Sequence, residues 1–217
     1  MKNNEIISGD CIEIMKSIPK NSIDLILTDP PYGDNTSYGT TNKSILNNKN
    51  PLINCSALVE FYRILKNNRS VYIFTNWKHY PFLTEFIIRY TKFKIRHLII
   101  WKKHNFGLGW AFRHQYEMIL VLEKGKPKYN LKDFSDVQNA FHINHNALTH
   151  PHEKPLDLIT KMIKHSSKEG DLILDPFCGS GAICVASKNS NRRFIGIELE
   201  KRYVEMANKK IFYSGQQ

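Results

Sequence analysis

At 217 residues the chain fits one domain, long enough to bury a core without a disulfide or metal staple. Hydrophobic residues at 41% exclude wholesale disorder, no run approaches the ~18 apolar residues of a spanning helix, and the first ten residues hold no signal-peptide core. The net charge is +11, and residues 51–150 carry 15 Lys and Arg against 6 Asp and Glu, so the middle of the chain is expected to face a polyanion such as nucleic acid. Four cysteines (Cys11, Cys55, Cys178 and Cys184) form no CxxC pair, which argues against an oxidised framework and for the cytoplasm, with no membrane partner.

Helical spacing over 11–18 precedes an apolar run at 23–27, a predicted strand that stops at Asp29-Pro30-Pro31-Tyr32. Residues 33–54 are rich in Asn, Thr, Ser and Lys and lack periodicity, as expected of a mobile binding loop. A helix over 57–65, a strand over 71–74, a helix over 82–90 and strands over 95–101 and 118–122 follow. Residues 124–149 are again polar and irregular. Then come a helix over 156–163, a strand over 172–174, a helix over 183–187, a strand over 194–197 and a helix over 203–211. Most strands are continuous apolar runs, the mark of a parallel sheet covered by helices on both faces, so the fold class is α/β.

Two strand ends carry chemistry. The run 171–182 is an apolar strand, the acid Asp175, and a turn whose Gly179 and Gly181 let backbone approach a ligand before a helix opens. A dinucleotide fingerprint needs a third glycine where Cys184 stands. A carboxylate before the loop suits an ammonium group better than a pyrophosphate. Glu198 ends the next strand at the spacing of a ribose-binding acid. A ligand with a ribose and an amino-acid end fits both, and S-adenosylmethionine is such a ligand. At the other strand end, Pro30 and Pro31 hold the backbone rigid. Asp29 and the Pro30 carbonyl can then accept the two N–H bonds of an exocyclic amine, with the Tyr32 ring beside them.

DPPYG, DPFCGSGA and the HPHEKP of residues 150–155 together resemble the DNA amino-methyltransferases. With DPPY first and the glycine loop last, the order resembles their β group, a circular permutation. The resemblance implies a single catalytic domain over 1–217, a Rossmann-like class I methyltransferase fold with a seven-stranded, mostly parallel sheet. Asp175, Phe177, Gly179 and Gly181 would line the methionine end of S-adenosylmethionine, Glu198 its ribose, Asp10 and Cys11 its adenine, and His150 and Lys154 its carboxylate. Asp29, Pro30, Pro31 and Tyr32 would act on the N6 amine of an adenine flipped out of DNA.

Residues 124–149 would be a very short target-recognition segment, with Lys102, Lys103, Arg113, Lys124, Lys126 and Lys128 as DNA contacts. The resemblance also allows a homodimer and a cognate restriction endonuclease as partners. Cytosine-N4 transfer by the same clamp is the alternative, although that branch more often has Ser at the position of Asp29. A non-catalytic subunit binding cofactor and DNA is the other. His142, His145, His150 and His152 match no tight ligand spacing, and no metal is expected.

Overall fold

The computed structural model describes residues 3–31, 52–107, 110–140 and 154–214. In chain order the elements are β1 (Glu5–Ser8), α1 (Cys11–Lys16), β2 (Ile23–Thr28), α2 (Leu52–Ile64), β3 (Leu65–Thr75), α3 (Tyr80–Tyr90), β4 (Lys94–Lys102), β5 (Tyr116–Lys124), β6 (Val137–Asn139), α4 (Leu156–Ser166), β7 (Leu172–Asp175), α5 (Ala182–Asn189), β8 (Arg193–Glu198) and α6 (Lys201–Tyr213). The strands form one sheet in the order β1-β8-β7-β2-β3-β5-β4-β6. All described strand pairs are parallel except those of β5, which runs antiparallel to β3 and β4.

The sheet has eight strands against the seven expected. The eighth position is filled by β6, which pairs with β4 inside the segment read as irregular. Three residues, Val-Gln-Asn, are too short a run to show a period. The loop expected over 33–54 lies outside the described residues as far as 51, and its last three residues already belong to α2.

Continuous apolar strands arise because both faces are covered. On one face Ile26, Val71, Ile73, Leu120, Leu122, Leu174 and Ile195 meet Met15 of α1, Leu58 and Phe61 of α2 and Leu83 and Ile87 of α3. On the other, Leu25, Leu27, Tyr72, Phe74, Ile119, Val121 and Ile173 meet Leu158, Ile159 and Met162 of α4 and Ile183 of α5. Neighbouring residues along each strand thus enter opposite cores, and the alternating pattern of a half-exposed strand disappears. Among the described residues no helix is long and apolar enough to cross a membrane.

Candidate active site

The carboxyl ends of β1, β8, β7 and β2 lie side by side along one edge of the sheet, and each ends in a residue singled out from sequence. Asp10 follows β1, Glu198 closes β8, Asp175 closes β7 and Asp29 follows β2. The two motifs are 147 positions apart yet touch: the Thr28 hydroxyl donates to Asp175 Oδ1 at 3.0 Å. This contact follows from parallel pairing of Leu25 with Ile173 and Ile26 with Leu174, which carries both chains out at the same edge.

Asp175 is buried and also accepts the Phe177 N–H at 3.2 Å. Burial pushes its carboxyl up to about 8; the hydrogen bonds from Phe177 and Thr28 oppose the shift, and the neighbouring charges of Asp29 and Glu198 add to it. No ion pair is made to Asp175 among the described residues. Such a carboxyl favours a cationic partner strongly once ionised.

Glu198 straps the turn to its own strand end. Oε2 accepts the Gly179 N–H at 2.9 Å and Oε1 the Glu200 N–H at 2.8 Å. Partial burial holds this carboxyl above its ordinary value against those hydrogen bonds. Asp10 caps α1, accepting Ile12 N–H at 2.8 Å and Glu13 N–H at 3.2 Å, and Gly9 N–H reaches Glu198 carbonyl at 2.9 Å, which ties β1 to β8. Cys11 is buried beneath it, and Phe177 packs partly buried against the core.

The two glycines have different reasons. Gly179 has φ +49°, a Cβ built there meets nothing within 4 Å, and its N–H is held by Glu198. At Gly181, with φ +86°, a Cβ would lie 2.8 Å from Ala207 Cβ of α6. Close packing of α6 is thus by itself a reason for glycine at 181. Open space at a turn that follows one buried acid and is held by a partly buried one fits a ligand with an ammonium group and hydroxyls.

The proline turn has a support that periodicity does not reveal. The buried Asn54 of α2 donates its Nδ2 to the Pro31 carbonyl at 2.9 Å and lies 3.1 Å from His79 Nε2. Asparagine in a polar, aperiodic stretch carries no sequence signal for this role. Tyr32 and His150 lie outside the described residues.

Lys154, expected at the cofactor carboxylate, is paired with two acids of the protein. Its buried Nζ pairs with Asp29 Oδ2 at 2.8 Å and Glu117 Oε2 at 2.9 Å, and lies 5.2 Å above the Phe74 ring. Burial works against its charge, but Asp29 and Glu117 hold the ammonium above its ordinary value. Glu117 in turn takes Lys103 Nζ at 2.5 Å; despite burial, Lys154 and Lys103 hold its carboxyl down at about 2. Glu117 escaped the sequence reading because only the antiparallel pairing of β5 brings it here.

The basic residues expected to meet DNA divide between two edges. Lys102 and Arg113 are exposed and leave β4 and enter β5 at the site edge, whereas Lys103 is held by Glu117. Lys124 is not a surface cation: it is buried, and Nζ donates to Asn21 Oδ1 at 2.8 Å, Tyr62 carbonyl at 2.7 Å and Leu65 carbonyl at 2.6 Å. Lys126 and Lys128 follow it at the opposite edge, where Asn68 Oδ1 accepts Lys126 N–H at 2.9 Å. The antiparallel course of β5 is the cause, since its end lies beside the beginning of β3. Around the site edge, Trp77, Phe106, Trp110 and Phe112 are exposed. The described residues hold no metal-binding cluster, and all four histidines considered for one, His142, His145, His150 and His152, lie outside them.

Comparison with known proteins agrees with this geometry. The family described as DNA methylase matches residues 23–209. The Type II methyltransferase M.HpaI of Haemophilus parainfluenzae is 32% identical across 96% of this chain and 74% of its own length. The DNA adenine methyltransferase YhdJ of Escherichia coli K12 is 28% identical across 95% and 82%. Among solved structures, an M1.HpyAVI–SAM complex superposes with a TM-score of 0.74 at 25% identity, covering 95% of this chain and 98% of the other. The chain belongs to the DNA methylase family.

Proposed function

We propose that the protein transfers a methyl group from S-adenosylmethionine to the N6 amine of adenine in DNA, in the cytoplasm. The observation that carries this reading is the junction of the proline turn and the glycine turn through Thr28 and Asp175. A relative named a DNA adenine methyltransferase supports the base, and a structural neighbour solved with SAM supports the cofactor. Asp175 would hold the ammonium of the methionine end, Gly179 would leave room for it, Glu198 would accept ribose hydroxyls and Asp10 would lie toward the adenine. The cofactor supplies an electrophilic methyl group on a sulfonium.

The chain's own residues act on the amine. The adenine N6 lone pair is delocalised into the ring, so the nitrogen is a poor nucleophile until its N–H bonds are held. Asp29 and the Pro30 carbonyl accept them and favour a pyramidal nitrogen aimed at the methyl. Bonding of nitrogen to the methyl group would leave the neutral thioether S-adenosylhomocysteine and a positive charge on nitrogen, whose proton would then be lost to solvent. The same acceptors stabilise that charge in a site screened from water. A base in duplex must first leave the stack, and the exposed aromatics and Lys102 and Arg113 beside the site suit that handling of DNA.

The test is to incubate the purified protein with unmethylated DNA and isotopically labelled S-adenosylmethionine, digest, and identify labelled nucleosides by mass spectrometry. N6-methyldeoxyadenosine is the expected product. Label in N4-methyldeoxycytidine would overturn the base assignment, and no label in any nucleoside would overturn the activity.

A further inference from the structure

We propose that Lys154 is a positioning residue for Asp29, held in place by Glu117. The inference rests on the function proposed above and adds two residues to its machinery. Four side chains of alternating charge form a row, Lys103, Glu117, Lys154 and Asp29, joined at 2.5, 2.9 and 2.8 Å. They come from the end of β4, the start of β5, the segment before α4 and the turn after β2, so no single element fixes them. Lys154 and Glu117 are shielded from water, with side chains 11% and 20% exposed.

A buried ladder of this kind is poor design for stability alone, because desolvating the charges offsets much of their attraction. Its specific effect is geometric. A carboxylate on a turn has rotational freedom about χ1 and χ2, and an amine acceptor must stay in one orientation. Lys154 pins Oδ2 of Asp29 from inside the protein and lies over the Phe74 ring, while Glu117 sets the position of its ammonium. Lys154 also balances charge where carboxylates crowd: Asp175 approaches Asp29 from β7, and Glu117 stands behind the ammonium on β5. Asn54 from α2 meanwhile holds the Pro31 carbonyl. The turn is thus held by an amide on one side and a cation on the other.

The test uses the full chain with DNA and labelled S-adenosylmethionine under single-turnover conditions, with cofactor affinity measured by calorimetry on the same preparations. A misplaced acceptor costs on the order of 100-fold in rate, so Lys154→Met should lose about that much and Glu117→Gln about 10-fold, while cofactor Kd stays within about threefold. Lys154→Arg should recover most of the rate.

A Kd weakened tenfold or more with the saturated rate unchanged would overturn the proposal and return Lys154 to the cofactor. An unchanged rate in both variants would overturn it too, as would a Lys154→Arg chain no faster than Lys154→Met. Should Lys154→Met fail to fold, the rate and cofactor Kd of Glu117→Gln decide. A wild-type chain that transfers no methyl to DNA would remove the proposed function and this inference together, whereas an active wild type with equally active variants removes the inference alone.

Discussion

The two edges of the sheet both bury charge, and they do so to opposite ends. At the edge where β2, β3 and β7 begin, Asp24 is fully committed: Lys66 Nζ at 2.8 Å, Arg69 at 2.7 Å and the Leu172 N–H at 3.0 Å all converge on it. Arg69 also meets Asp171, and Lys124 donates to three oxygens nearby. At the other edge Asp175 receives two hydrogen bonds and no cation among the described residues, and burial raises its carboxyl. Glu198 is raised too. Charge matched within the protein holds elements together, whereas a carboxyl kept costly to ionise is prepared for a cation brought from outside.

The sharpest way to break this contrast is to remove one acid from each edge. Asp29→Ala should lower methyl transfer by about 10³-fold, with a smaller loss of stability than at Asp24, since the buried Lys154 keeps Glu117 as a partner. Asp24→Ala should do the reverse, losing about 2–3 kcal/mol in urea titration while the folded fraction keeps its turnover. Activity loss on Asp24→Ala at full folding would show that the far edge is not merely structural.

The glycines sharpen it next. Gly181→Ala, which drives a Cβ against Ala207, should destabilise the fold by about 2–3 kcal/mol. Gly179→Ala should cost only about 1 kcal/mol of stability for its left-handed backbone, with cofactor affinity hit harder. Denaturation and cofactor titration of the two variants separate these outcomes.

Asp175 makes the site edge sensitive to pH. Its carboxyl titrates near 8 when folded against an ordinary 3.8, so between those values the folded state binds more protons than the unfolded. Stability without cofactor therefore falls as pH rises through that window, by more than about 1 kcal/mol. Urea midpoints at pH 5 and pH 8 should show this in the wild type and a flatter response in Asp175→Asn.

The smallest effects belong to single surface cations. Lys102→Ala or Arg113→Ala should weaken DNA binding about two- to fivefold and lower its salt slope by about one. Lys126→Ala and Lys128→Ala, at the far edge, should leave both unchanged. Filter binding across a salt series distinguishes the pairs.

How much of this was legible in the sequence follows from range. Strands buried on both faces read as apolar runs, so 23–27, 71–74, 118–122 and 194–197 fall within β2, β3, β5 and β8. The four-residue edge strand β1 and three-residue β6 are too short to show a period. Asp29, Asp175 and Glu198 stood out because an acid at the end of an apolar run has no packing reason to be there. Their meeting needed only parallel strands. Lys154 and Lys124 could not be placed in this way, because Glu117 and Lys124 itself are positioned by the antiparallel strand β5. Its reversal carries Glu117 to the site and the lysines after β5 away from it.

The most direct test of the division within the site edge is a calorimetric titration of S-adenosylmethionine into Asp29→Ala and Asp175→Ala at one pH. Asp29→Ala should bind within about threefold of wild type, and Asp175→Ala should lose at least about 100-fold, the ammonium having lost its buried acceptor. Equal binding by both variants, or loss in Asp29→Ala alone, would contradict the account.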